Sequence, residues 1–212
     1  FWKLGKNGAC VFTTGKKREY VIQNDSNGKT VLTDGYLGFA ATSDGKTLAT
    51  VDMLRNELSI IDLNGISPSV RSYRYPFESH CPRPEAFSPD KRRVYCTGSL
   101  ADRSGLFIVY LELQYGTFNV WRQGSSPIVS PRGMIAYLDE SDRIVIADPQ
   151  DDNPGIHVNL GADDLEQWID DRYLLAIKSN HSNHSRGLIA FLDVKAHESR
   201  EIDMSKHGDI LS

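Results

Sequence analysis

Three short runs decide the architecture: Glu85-Ala-Phe-Ser-Pro-Asp-Lys91, Arg93-Val-Tyr-Cys-Thr97 and Leu106-Phe-Ile-Val-Tyr-Leu111, the last closing on Glu112. Pro89 pre-sets φ for a tight turn and Asp90 can bond its own backbone two residues on, so the first two runs read as strands joined by a turn. A polar loop then leads to a third, wholly apolar strand. A lone meander of this kind cannot cover both its faces. The unit, however, recurs.

Turn pairs stand at Asn7-Gly8, Asp44-Gly45, Asp90-Lys91, Arg132-Gly133 and Asp171-Arg172, separated by 37, 46, 42 and 39 residues. A four-stranded propeller blade repeats at about 40–45 residues. A short apolar strand follows each pair, then a second one that runs into Asp25, Asp62, Glu112, Asp148 or Asp193. Asx-type turns give most of these acids a local role. A more polar, alternating strand comes next, as suits an outer strand with one solvated face. The inner strands are expected at Phe1 to Leu4, Tyr36 to Ala41, Glu85 to Phe87, Pro127 to Val129 and Gln167 to Ile169. The fold expected is all-β: a β-propeller of five blades with four antiparallel strands each. One domain over residues 1–212 would hold repeats at about 1–33, 34–75, 84–121, 126–160 and 166–204. Only Ala162 to Trp168, opening on Asp163 and Asp164, suggests a turn or two of helix.

With 212 residues, 40% of them hydrophobic, the chain can bury a substantial core. The longest apolar run, Leu106 to Leu111, is too short to span a bilayer as a helix. The net charge of −4 is uneven: residues 1–125 carry 16 Lys/Arg and 12 Asp/Glu, whereas residues 126–212 carry 8 and 16. An acidic chain whose basic cluster Lys16-Lys17-Arg18 is this short does not point to nucleic acid. Cys10, Cys81 and Cys96 include no Cys-x-x-Cys pair. Buried thiols are the simpler reading, and a Cys81–Cys96 disulfide stays open.

Catalytic signatures are missing: no Gly-x-Ser-x-Gly, no His-Glu-x-x-His and no phosphate-binding glycine loop. No cofactor and no metal is expected; the His181-Ser-Asn-His184 spacing lies on a polar loop that fixes no ligand geometry. Asn24, Asn180 and Asn183 begin glycosylation-acceptor patterns that the composition explains equally well. Glu85 and Glu166, at or near inner strands, are the two acids a glycoside-cleaving propeller would need.

Phe87-Ser-Pro-Asp90 with Arg93-Val-Tyr95, Val129-Ser-Pro-Arg-Gly133 with Ile135-Ala-Tyr137, and Ala41-Thr-Ser-Asp-Gly45 with Leu48-Ala49 resemble the repeat of TolB-type propellers. The Trp-Asp and Gly-His marks of WD40 repeats are absent. The family includes periplasmic proteins that bind lipoproteins and toxins, and gating propellers of serine peptidases. The resemblance therefore implies a blade architecture and a recognition role in the periplasm or outside the cell, with a cytoplasmic setting left open. This chain shows fewer repeats than the family usually carries, and no hydrolase domain.

The expected function is non-enzymatic recognition of a protein partner by a chain that is itself monomeric. The alternatives are a toxin-neutralising immunity protein and a five-bladed carbohydrate-binding or hydrolysing enzyme. In an antiparallel blade the turn pairs lie at one end, and the second-to-third-strand loops and inter-blade links lie at the other. The longest loops are expected at this second end: Gly98 to Gly105, Ser179 to Gly187, Pro76 to Pro84 and Gly161 to Trp168. They hold Phe77, His80, Arg103, Trp168 and His181 which, with Arg55 on the corresponding loop of the second repeat, are the candidate partner-binding residues, since aromatic and arginine side chains dominate interface energies. Phe77 and Trp168 suit packing between blades equally well. Arg132 and Arg172 mark the opposite end.

Overall fold

The computed structural model describes residues 2–203 except 5–8, 15–18, 24–28, 33–35, 53, 65–67, 78–81, 163, 179–187 and 197; before residue 38, after residue 200, and at 159–161, 178 and 188, the description is of the backbone alone. Cys81, the three glycosylation-acceptor patterns and the chain end from residue 204 lie outside the described residues.

Every described element is a strand, and each sheet is a four-stranded antiparallel meander in chain order. The first sheet holds β1 (Trp2–Leu4), β2 (Ala9–Thr14), β3 (Glu19–Gln23) and β4 (Lys29–Leu32). The second holds β5 (Tyr36–Ala41), β6 (Thr47–Asp52), β7 (Glu57–Asp62) and β8 (Ser69–Arg74). The third holds β9 (Arg83–Phe87), β10 (Arg93–Leu100), β11 (Arg103–Glu112) and β12 (Thr117–Gln123). The fourth holds β13 (Ser125–Val129), β14 (Ile135–Leu138), β15 (Arg143–Ala147) and β16 (Ile156–Gly161). The fifth holds β17 (Asp164–Trp168), β18 (Tyr173–Lys178), β19 (Leu188–Asp193) and β20 (Glu198–Asp203).

The chain divides into two compact units, residues 1–122 and 123–212. In the first, β5 lies beside β9; in the second, β13 lies beside β17. The second and third strands of a sheet are short β-branched and aromatic runs, buried on both faces in β6, β7, β14 and β15. The outer strand β8 stays largely exposed, and β12 is at most half-buried along its length.

In the first unit the core joins Ala49, Val51, Leu58 and Ile60 of one sheet to Phe87, Val94, Cys96, Val109 and Leu111 of the next. Cys96 is fully buried in this core, its thiol directed at the Val94 carbonyl. In the second unit Leu138, Ile144 and Ile146 meet Leu165, Leu174, Ala176 and Leu192.

The helix expected over Ala162 to Trp168 is not there: Asp164–Trp168 is β17, paired with β18. The register shifts between Leu165 and Gln167, so Glu166 bulges out, and Leu165 and Trp168 both reach the core from positions three apart. That spacing imitates a helix period in the sequence. Nor is Gly98 to Gly105 a loop, because β10 and β11 run through it and close on Ala101-Asp102, with Leu100 opposite Arg103.

Candidate recognition surface

The loop end of the second and third sheets collects three exposed arginines. Between β6 and β7, the Asp52 side chain, whose residue is only 7% exposed, accepts the backbone N–H of Leu54 at 3.0 Å and of Arg55 at 3.2 Å. One buried carboxylate thus fixes the turn, and the turn thrusts Leu54 into solvent at 80% exposure beside Arg55. Arg103 opens β11, its guanidinium carbon 6.0 Å from the centre of the Phe107 ring, with Leu106 half exposed nearby in sequence. Arg83 opens β9. A Cβ on Gly38 would stand 2.9 Å from the Arg83 side chain, so the glycine (φ 66°) both permits the bulge in β5 and leaves room for that arginine.

Ion-pair lengths differ between the two ends of the second and third sheets. At their loop end the pairs are long: Arg55–Asp52 3.7 Å, Arg83–Glu85 3.3 Å and Arg103–Asp102 3.8 Å. The loop end of the fourth sheet differs, with Arg143 and Asp139 paired at 2.8 Å. At the turn end they are short: Lys91–Asp44 2.5 Å, Arg93–Glu112 2.8 Å and Arg172–Asp193 2.5 Å. Arg92, 3.8 Å from Asp90, is the exception there. Arg132 is intermediate, 3.2 Å from Asp171.

The short pairs shift titration. Arg172 holds the Asp193 carboxyl at about 2. Lys91, and then the Thr42 hydroxyl, hold Asp44 well below the usual carboxylate range, and the Ser88 hydroxyl lowers Asp90. The acids closing the third strands take the local roles expected of them. Asp62 accepts the N–H of Asn64, Asp148 that of Gln150, and Asp193 those of Lys195 and Ala196, while Glu112 bonds Arg93 instead.

The other candidates fall apart from this group. Phe77 is half-buried with its ring 5.0 Å from that of Tyr75, which meets Phe118 in turn at 5.2 Å. Trp168 packs on the second core and donates its indole N–H to the Ile128 carbonyl at 3.2 Å. His80 and His181 lie outside the described residues. The two acids considered for catalysis both occupy bulged positions of inner strands, Glu85 in β9 and Glu166 in β17. Glu85 is engaged with Arg83, and Glu166 is exposed. Among the described residues no group of three or more His, Cys, Asp or Glu side chains is placed to hold a metal, and no helix is long and apolar enough to cross a membrane. Sequence reading missed Leu54; the signal was there in Asp52, whose position two and three residues before Leu54 and Arg55 suits an Asx turn.

No protein-family model matches the sequence, and no curated protein matches it. Solved structures do match in shape. TolB from Acinetobacter baumannii is 17% identical with a TM-score of 0.63 over 92% of this chain and 52% of its own. An oligogalacturonate lyase from Vibrio parahaemolyticus is 16% identical with a TM-score of 0.66 over 94% and 63%. A chain of the mitotic checkpoint complex is 12% identical, also at 0.66, over 94% and 62%. This chain therefore spans about half the length of the TolB chain and under two thirds of the other two. At such identities the likeness is one of fold, and the fold is a β-propeller.

Proposed function

We propose that this is a recognition propeller, non-enzymatic and monomeric by itself, that binds a protein partner through the loop end of its second and third sheets. One observation carries the reading. Arg55, Arg83 and Arg103 make long ion pairs there with their guanidinium groups out in solvent, beside a leucine that a buried carboxylate holds out into water. Exposed pairs of this kind contribute only about 0–1 kcal/mol, so the guanidinium groups can exchange them for a partner's carboxylates at small cost. A rigid turn presenting Leu54 also loses little conformational entropy on binding. The resemblance to TolB-type repeats supports a periplasmic or secreted setting.

The test is to recover the partner by pull-down from the source cell and titrate it against variants. Arg55→Glu with Arg103→Glu is expected to weaken binding by about 2 kcal/mol or more, with an unchanged melting temperature. Arg132 and Arg172 secure turns, so Arg92→Glu is the cleaner control from the opposite end and should bind normally. Loss of binding in the control alone would overturn the assigned face. The oligogalacturonate lyases among the structural neighbours support the enzymatic alternative at the level of fold. The five sheets are taken as blades of one domain, which calls for one cooperative transition by calorimetry; two separate transitions would break that reading.

A further inference from the structure

The outer strand of the second sheet has a free edge whose chemistry can be worked out residue by residue. β7 pairs with β8 from Glu57↔Arg74 to Asp62↔Ser69, and the Tyr75 N–H extends the ladder by bonding the Asn56 carbonyl at 3.1 Å. In an antiparallel ladder, pairs that exchange hydrogen bonds alternate with pairs that do not. Asn56/Tyr75 is a bonded pair, so Leu58/Tyr73, Ile60/Arg71 and Asp62/Ser69 are the bonded pairs within the strands. The β6–β7 ladder agrees: the Leu63 N–H bonds the Lys46 carbonyl, which assigns Glu57, Ser59 and Ile61 to β6 and leaves the residues between them for β8. The backbone N–H and C=O groups of Val70, Ser72 and Arg74 accordingly point away from the sheet.

This edge is open. β8 is the last strand of its sheet, and all of Ser69 to Arg74 except Tyr73 is exposed, with Val70 at 50%. Tyr73 packs on one face, where a Cβ on Gly116 would meet its ring at 3.1 Å, so the neighbouring sheet abuts a face of β8. Natural edges are commonly guarded by charged side chains, lysine above all, or by proline, a bulge or extreme shortness. β8 has six residues, no lysine, no proline and an unbroken register. Its charges are Arg71 and Arg74, with no carboxylate in the strand. β20, by contrast, carries Glu198, Glu201 and Asp203 against the single Arg200 and would repel an acidic chain.

We propose that the free edge of β8 is a strand-addition site for an extended acidic segment of a protein partner. The segment would pair with the outward backbone groups of Val70, Ser72 and Arg74 and set its carboxylates opposite Arg71 and Arg74. The site is distinct from the loop end and stands or falls without it.

The probe is a dye-labelled extended peptide of valine and threonine with two glutamates three positions apart, so that one falls on each face opposite Arg71 and Arg74, titrated against the whole chain by fluorescence anisotropy. Binding should slow amide exchange at Val70, Ser72 and Arg74. Val70→Pro removes one outward N–H at an edge where proline does not disturb the ladder. It should weaken the peptide about tenfold while leaving the melting temperature near its original value. Arg71→Glu with Arg74→Glu should weaken it about tenfold as well, and a lysine-for-glutamate peptide should not bind the original chain. Three results would overturn the proposal: no binding by the original chain, protection appearing on a different strand, or Val70→Pro binding the peptide as before while still folded. A chain that elutes as a dimer or larger and excludes the peptide would also overturn it, in favour of pairing between copies.

Discussion

The junction between the second and third sheets and the junction between the fourth and fifth solve one problem differently. The first is lined with rings: Phe87, Phe107 and Tyr75 in the core, with Phe77 and Phe118 against them. The second is aliphatic, and Trp168 is its one aromatic among the described residues. Their turn ends differ more instructively. In the second and third sheets the hydroxyl of Thr42 or Ser88 donates to the carboxylate two residues on, at 2.6 Å in both, and accepts the N–H of Thr47 or Arg93. Lys91 then reaches back to Asp44. In the fourth sheet Ser130 keeps its bond to the Met134 N–H, but Arg132 stands where the carboxylate belongs. Asp171 of the next sheet supplies it, taking the Ser130 hydroxyl at 3.0 Å and the Arg132 N–H at 2.8 Å. A turn can therefore lose a motif residue and still be completed, provided its neighbour leans in.

Trp168→Ala should sharpen this contrast most, with a stability loss of about 3 kcal/mol in chemical denaturation. It removes both the second junction's aromatic and the bond to Ile128. Phe77→Ala, where other rings remain, should cost about 2 kcal/mol; a loss larger than that of Trp168→Ala would reverse the ranking. Asp171→Ala orphans a hydroxyl and a backbone N–H and should cost about 1.5 kcal/mol, whereas Lys91→Met, which breaks only an exposed pair, should cost about 0.5 kcal/mol. Equal losses would mean that the two clasps are equivalent after all.

Acid should weaken both junctions. The Asp193 carboxyl stands at about 2 against 3.8 in the unfolded chain, and Asp44 and Asp90 are shifted in the same direction. Asp139 also titrates low: burial raises it, but the Arg143 side chain and the turn N–H groups outweigh that. Groups depressed on folding contribute fully above the unfolded value and lose that contribution as pH falls through the folded one. The melting temperature should thus hold above about pH 4 and decline toward pH 2, and a flat profile would show the pairs to be silent. The smallest effect is expected for Lys91→Gly. Lys91 adopts φ 59° where Gly45 and Gly133 stand in the equivalent turns. Relief of a left-handed residue, about 1 kcal/mol, should offset the lost pair and leave the melting temperature nearly unchanged.

Much of the fold was legible because turn chemistry is local. Asp44-Gly45 and Ser88-Pro89-Asp90 announce their geometry within four residues, and the apolar strands announce themselves by length. What failed was longer in range. The bulge at Glu166 makes a strand look helical, and the hairpin through Gly98 to Gly105 looks like a loop because its tip is polar while its pairing is not visible along the chain. The candidate surface was half legible. Arg55 and Arg103 were expected there, but Phe77 and Trp168 are packed, and nothing short of the fold tells a packed ring from an offered one.

The carboxylate of Asp171 has a consequence for how such a chain can change over generations. Repeat proteins grow and shrink by copying or deleting whole repeats, which works when each copy carries everything it needs. The fourth repeat does not. Moved alone, it would leave behind the acid that finishes its turn; copied alone, it would set two serines and two arginines competing for a single aspartate. Residues 125–203 thus travel best as a pair, and grafting or duplicating both sheets together should give a more stable product than the first of them alone.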